Sequence, residues 1–304
     1  MSNLREIKKR IASVTSTREI TRTMEMVSSA KISRALEREK QSEAYLEAIT
    51  DVMFTVASDA QARKSSPLLQ DPSTYERALV IVINSDRGLA GGFNIDVERA
   101  AEERIEHFKR HGAQTVELIT CGTKAVEHFR HYPDVVMSVS GESDDPTLDR
   151  ARSIANYVCD GFSSGNLGRI DIVYYHAVNR VDQVLRVERV LPLDLEVLSA
   201  VHGPRRSEED APKLVDSSFE FRPSAKAILE NLAPSYVLTV IHQALIDSAA
   251  AEHAARRKSM HAATENADEI IEDLQRTYNR VRQASITTEI TEIVSGASAL
   301  EEES

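Results

Sequence analysis

The chain has 304 residues and a formal net charge of −11, with 41% hydrophobic residues, 28% charged residues, 5% aromatics and no Trp. That composition is lean for a single globule and leans toward helical or coiled-coil architecture, with length for about two ordinary domains. No run approaches the ~18 consecutive apolar residues of a membrane span, the start MSNLREIKKR lacks the apolar core of a signal peptide, and Cys121 and Cys159 cannot by themselves make a disulfide framework or a zinc site, so a soluble, unprocessed chain in a reducing compartment is expected.

Gly and Pro punctuate local structure, and neither occurs in the first 66 residues. Leu4, Ile7, Ile11 and Val14 follow helical 4/3 spacing; after a polar break at Thr17 and Thr21 the stripe resumes at Met24, Val27 and Ala30. The stripe is narrow, like a coiled-coil seam. Residues 1–40 hold ten Lys or Arg against five Asp or Glu, so this helix is the basic surface of an acidic protein. Nucleic-acid binding would call for interleaved aromatics, and the first is Tyr45; a solvated face or an acidic protein partner fits better.

The middle of the chain alternates. RALVIVIN at 77–84 reads as a buried strand, 97–111 as a helix, VELIT at 116–120 as a strand, 124–131 as a helix and 135–139 as a strand. A helix over 146–162 with Pro146 near its start, a strand over 170–175 and an alternating strand over 183–190 complete a Rossmann-like α/β sandwich. The polar segment 202–213, HGPRRSEEDAPK, is expected to be an exposed connector.

Residues 235–295 again lack Gly and Pro, with Val237, Ile241, Ala244 and Ala251 leading to Ala267, Ile270, Leu274, Tyr278 and Val281 at helical spacing. Neither terminal helix is stable alone with so little apolar face, so an antiparallel pair is expected, of roughly 85 Å and roughly 110 Å at the α-helical rise. Beyond Arg282 there is no basic residue, and small and β-branched side chains dominate up to Leu300. Such an end is too apolar for water and too thin for its own core, which predicts an external sleeve.

The expected fold class is α/β: a long antiparallel coiled coil of N- and C-terminal helices plus a Rossmann-like α/β domain. Its parts are 1–60, the first helix; 75–200, the α/β domain; 201–222, the exposed loop; and 223–300, the second helix, pairing with 1–60.

Sites of chemistry are sparse. The loop from Ser85 to Asn94 carries Gly88, Gly91 and Gly92 in the pattern G-x-x-G-G, which is neither the dinucleotide fingerprint nor a P-loop. A tight structural turn that lets backbone approach another helix is the favoured reading. His107 with His111, and His128 with His131, lack HExxH chemistry and a third ligand; Cys121 and Cys159 read as small buried hydrophobes; no serine sits in G-x-S-x-G. No catalytic residue, cofactor or metal is expected.

Three stretches together resemble the γ subunit of bacterial F-type ATP synthase: RIASVT from Arg10 with ITRTMEMV from Ile20, the loop SDRGLAGGFN from Ser85, and ENA from Glu265 with YNRVRQASITTEITEIVSGA from Tyr278. The resemblance runs in order along the chain. It implies a noncatalytic central-stalk rotor turning inside the α3β3 hexamer of α and β subunits, with ε and the c-ring at the α/β domain, coupling transmembrane proton flow to ATP synthesis or hydrolysis. It also implies a peripheral location at the cytoplasmic face of a bacterial plasma membrane.

Residue by residue, Met24 resembles the part of the shaft met by acidic loops of β. Arg282 and Gln283 resemble a hydrogen-bonding catch to a β loop, with Thr287 and Glu289 close by, and Arg256 resembles a basic shaft position facing the same subunits. The tail from Ile286 to Leu300 would turn in the apolar sleeve. Two departures stand out: Ala90 replaces the family's common Cys, and 202–213 has no cysteine for a thiol switch. The other classes considered are a coiled-coil tether or nucleic-acid-binding protein, and a nucleotide-dependent α/β enzyme with a coiled-coil arm.

Overall fold

A computed structural model of the chain describes residues 2–57, 59–72, 74–194 and 221–302, the last few without side chains. The connector expected over 201–222, including 202–213, therefore lies outside the described residues except for Phe221 and Arg222. In chain order the elements are α1 (Ser2–Ala57), α2 (Ala60–Ser65), a 3-10 turn at Pro67–Leu69, β1 (Arg77–Ile83), α3 (Phe93–Arg110), β2 (Thr115–Cys121), α4 (Thr123–His128), β3 (Val135–Val139), α5 (Leu148–Ser163), β4 (Arg169–Ala177), β5 (Gln183–Leu191) and α6 (Ala225–Glu302).

The five strands form one sheet in the order β3-β2-β1-β4-β5. The first three pairings are parallel, with Ile83 opposite Cys121 and Ala78 opposite Arg169, whereas β4 and β5 are antiparallel. Central parallel strands are covered on both faces, and so read as continuous apolar runs. Strand β1 sorts its side chains accordingly. Leu79, Ile81 and Ile83 enter one core with Ile154 and Val158 of α5, Leu46, Ile49 and Met53 of α1, and Leu229, Tyr236 and Ile241 of α6. Ala78, Val80 and Val82 enter a second core with Val97, Ala101, Ile105 and Phe108 of α3 and Ala125 of α4.

The chain divides into two compact units, one of residues 29–256 and one of residues 1–28 with 257–304. Thus the larger unit contains the whole sheet and also long stretches of α1 and α6. Ala35 to Val56 and Leu229 to Ala255 supply core beside the sheet, so the larger unit extends past residues 60 and 223 into both long helices.

Helix α1 carries a continuous heptad. Its buried or half-buried positions run Leu4, Ile7, Ile11, Val14, Arg18, Thr21, Glu25, Ser28, Ile32, Ala35, Glu39, Ser42, Leu46, Ile49, Met53 and Val56, in alternating steps of three and four. This corrects the expected stripe. Thr21 belongs to the seam rather than breaking it, whereas Val27 is 51% exposed and Ala30 is also exposed. In α6 the buried seam residue is Ile271, not its neighbour Ile270. Pro234 sits inside α6, where the missing N–H costs one backbone bond.

Elements expected from sequence occur, most with shifted ends. Helix α3 starts at Phe93, four residues before the expected 97, with Gly92 at its N-cap. Pro146 lies outside α5, whose N-cap is Thr147. Gly122 has φ +90°, and a Cβ there would lie 2.1 Å from the carbonyl oxygen of Asn84, so only glycine lets β2 turn into α4 beside the end of β1.

Candidate functional site: the glycine loop and the helix seam

The loop after β1 is held from within and from two neighbours. The Ser85 hydroxyl bonds the Arg87 carbonyl at 2.6 Å and Asn94 Oδ1 at 2.9 Å. Asp86 Oδ1 accepts from the backbone N–H of Thr123 at 2.9 Å, its hydroxyl at 2.7 Å and the N–H of Gly141 at 2.8 Å, and Oδ2 accepts from the N–H of Ser143 at 2.8 Å. Burial would raise the Asp86 pKa, but these donors favour the charged form and take it down to about 2. The N–H groups opening α4 and the loop after β3 therefore face a carboxylate of the chain itself, where a nucleotide phosphate would otherwise bind. What the loop offers to α6 is carbonyl oxygen.

Arg256 of α6 receives that surface. Its Nε donates to the Gly88 carbonyl and an Nη to the Arg87 carbonyl, both at 3.2 Å, and the same Nη reaches Glu252 Oε1 at 2.5 Å. The arginine is 7% exposed. The expectation that Arg256 faces partner subunits meets a different geometry: within this chain the guanidinium is an internal clamp, and burial beside Glu252 is the reason. Alanines make the close approach possible, since Ala35, Ala90, Ala250, Ala251 and Ala255 pack with Phe93 and Ala177. Ala90, the departure noted above, is one of them. Gly91 has φ +61°, which favours glycine, and a Cβ on Gly92 would meet Asp96 at 3.0 Å; nothing lies within 4 Å of one on Gly88.

The loop after β3 adds two more ties. Asp144 meets Lys31 of α1 at 2.6 Å and His253 of α6 at 3.1 Å, and Asp145 meets Arg38 at 2.6 Å. Burial would raise the Asp144 pKa, yet the Lys31 bond and His253 hold it below the usual carboxylate value. Burial pushes the His253 imidazole below its usual value, with Arg256 and Lys31 acting in the same sense. The knot is invisible to sequence reading because its ties span long stretches of chain: 113 residues from Lys31 to Asp144 and 107 from Arg38 to Asp145.

In the smaller unit the seam is polar. Thr21 and Thr264 hydroxyls lie 2.8 Å apart, Arg18 reaches Asp268 at 3.1 Å, and His261 stands between Glu25 at 3.0 Å and Glu265 at 3.3 Å. Met24 is half-buried, while Arg282, Gln283, Thr287 and Glu289 are exposed. The Thr287 hydroxyl bonds the Gln283 carbonyl at 2.9 Å, and Glu289 accepts from Ser285 at 3.4 Å. Further on, Ile286, Ile290, Ile293 and Val294 are all exposed, Ile293 at 71%.

The histidine and cysteine candidates have structural surroundings. His128 pairs with Glu98 and Glu102, and His107 stacks on His111 with ring centroids 4.0 Å apart. Burial takes the Cys121 and Cys159 thiols up to about 12, so neither is a thiolate nucleophile. Among the described residues no helix is long and apolar enough to cross a membrane.

The fold and this site define a class: a Rossmann-like domain packed on two long helices, with exposed polar and apolar side chains along α6 from Arg282 to Val294. The ATP synthase family model matches residues 3–300. ATP synthase gamma chains of Xanthomonas campestris and Saccharopolyspora erythraea are 36% and 37% identical over 301 and 315 residues, covering 99% of this chain and 100% and 98% of theirs. The chain belongs to the ATP synthase family. In fold it is similar to a chain of the Euglena gracilis mitochondrial ATP synthase, with TM-score 0.64, 19% identity and coverage of 98% of this chain and 95% of that one. A chain from the central stalk and c-ring of the Tetrahymena thermophila mitochondrial enzyme has TM-score 0.59 and 20% identity, over 80% of this chain and 99% of that one.

Proposed function

We propose that this chain is the γ subunit of a bacterial F-type ATP synthase, the central-stalk rotor that turns inside the α3β3 hexamer and couples proton flow to ATP synthesis or hydrolysis. Membership of the family supports this reading, and one observation carries it at the level of residues. The end of α6 presents Ile286, Ile290, Ile293 and Val294 to solvent on a helix with no basic residue beyond Arg282. Exposed apolar surface of this kind asks for a cover, and an apolar sleeve at the top of a hexamer supplies one without a fixed ionic contact.

The chain's role is noncatalytic. Its work is done by differential contact: an asymmetric shaft at the centre of three equivalent sites stabilises a different conformation of each, by as much as its contacts differ among them. Met24, Arg282, Gln283, Thr287 and Glu289 are the contacts proposed toward α and β. The exposed polar members, Arg282, Gln283, Thr287 and Glu289, suit that task because surface pairs contribute little and release readily. Toward the membrane the partners are ε and the c-ring, which places the subunit peripherally at the cytoplasmic face. No nucleic acid is involved, and no cofactor is held.

Reconstitution tests the proposal. The chain combined with the matching α and β subunits gives ATP hydrolysis well above that of α and β alone, and Arg282→Ala with Gln283→Ala lowers coupled synthesis while the far-UV spectrum stays unchanged. Absence of stimulation by the unaltered chain overturns the rotor assignment; normal synthesis by the double variant removes Arg282 and Gln283 from the contact set.

A further inference from the structure

A cluster that neither the family nor the seam accounts for lies where α1, the end of β4 and α6 meet in the larger unit. Glu39, His176 and Asp247 each offer one ligand atom, and the three atoms lie within 4.8 Å of one another. Asp247 is buried. Its Oδ1 accepts the backbone N–H of Ala177 at 2.8 Å, and its Oδ2 meets His176 Nδ1. Such a backbone bond fixes a carboxylate as an outer-sphere partner fixes a metal ligand. Glu39 is half-buried, closes the triangle and is hydrogen-bonded to neither of the other two.

We propose that Glu39, His176 and Asp247 form a binding site for one divalent transition cation, with Zn2+ or Mn2+ as the chemical class. One imidazole and two carboxylates from three separate elements are the mixed N/O donor set that these ions take, whereas Mg2+ and Ca2+ favour oxygen alone. Bond lengths of about 2.0–2.2 Å to Zn2+ require the donors to surround a common centre, and the three ligand atoms already lie within 4.8 Å of one another. The remaining coordination positions open toward solvent, since the His176 and Glu39 side chains are only partly buried.

Charge favours a cation at this place. Glu43 of α1 adds to Glu39 and Asp247, and the nearby cation, Arg186 of β5, is itself engaged by Glu188 at 3.2 Å. Burial first, and Asp247 next, raise the Glu39 pKa to about 7, so a proton competes for the position that a divalent ion would fill.

The second cluster of this kind in the described residues, Asp144, Glu252 and His253, is different. Lys31 lies on Asp144 at 2.6 Å, Arg256 on Glu252 at 2.5 Å, and Arg256 also on His253 Nδ1 at 3.3 Å. Its donors are already neutralised by resident cations, which makes it the internal control. An ion at the first cluster would brace α1 against β4 and α6 and stabilise the fold by mass action.

Titration of the full chain with Zn2+ and with Mn2+, followed by calorimetry and by competition with a chromophoric chelator, tests the site. One equivalent binds with micromolar or tighter Kd for at least one of the two ions, Glu39→Gln and His176→Gln each weaken that equivalent at least tenfold, and His253→Gln leaves it unchanged. The metal also raises the thermal midpoint of the unaltered chain and not that of Glu39→Gln, which keeps a helix-compatible side chain and so remains informative if His176→Gln does not fold. No binding by either ion, equal affinity in Glu39→Gln and the unaltered chain, or loss of the site in His253→Gln instead, overturns the proposal.

Discussion

Two stretches of the same helices do different work. Between Ile32 and Val56 of α1, and between Leu229 and Ala255 of α6, most lining side chains are apolar and buried, with Glu39, Asp247, Glu252 and His253 as ionisable exceptions. Between Leu4 and Ser28, and beyond Arg257, the seam alternates buried and half-buried positions and is punctuated by hydroxyls and ion pairs, with Thr21 on Thr264 and Arg18 on Asp268. Burial of apolar area stabilises by about 25 cal/mol per Å2, so stability is concentrated in the larger unit. A seam that also carries Ser, Thr and exposed ion pairs gains less per residue. The difference teaches that an unbroken heptad does not imply uniform cohesion; the identity of the a and d residues sets it.

The largest way to break this comparison is the clamp. Arg256→Met leaves Glu252 buried without its cation and the Arg87 and Gly88 carbonyls without a donor. A loss of about 3 kcal/mol is expected in urea unfolding, as for a broken buried pair. A loss below about 1 kcal/mol would mean that the loop and helix are held by the alanine packing alone.

A matched pair of truncations sharpens it next. Ile241 is fully buried in the sheet core, and Ile241→Ala should cost about 3 kcal/mol. Val14 is half-buried in the smaller unit, and Val14→Ala should cost about 1 kcal/mol. Equal losses in the same denaturant series would erase the distinction drawn between the two regions.

The smallest effect is the dependence on pH, which comes from the larger unit. Asp86, lowered to about 2 from 3.8, contributes stability that is present above pH 3.8 and lost as pH falls through 2. His253, held below 6.5, adds a loss that begins as pH falls below 6.5. Glu39 has the opposite sign: raised from 4.5 to about 7, it removes stability as pH rises through that interval. Glu39→Gln in metal-free buffer should therefore gain under about 1 kcal/mol at pH 8 after solvent screening, and nothing at pH 4. Thermal midpoints across that range check the sign.

Much of the fold was legible without coordinates. The Gly-free and Pro-free stretches marked the helices, and β3 falls at the residues read for it. The seam was harder to place. Apolar spacing selected Val27, Ala30 and Ile270, yet the buried positions are Thr21, Ser28 and Ile271, because the heptad continues through polar residues that a hydrophobic stripe does not register. The need for glycine at Gly122 was equally hidden, since it arises from the carbonyl of Asn84, just past the end of β1.

Sequence by itself determined the two long terminal helices, the alternating strands and helices between them, and the base-free apolar end of α6, but not the short α2 or the 3-10 turn. These are local properties, fixed by backbone propensity and by composition within a few turns. Only the tertiary structure decided that α1 and α6 enter the core on one face of the sheet, that Arg256 is turned inward onto the glycine loop, and that Glu39, His176 and Asp247 converge. Each of those depends on groups brought together from distant positions, where burial and distance, not residue type, set what a charge or a methyl group does.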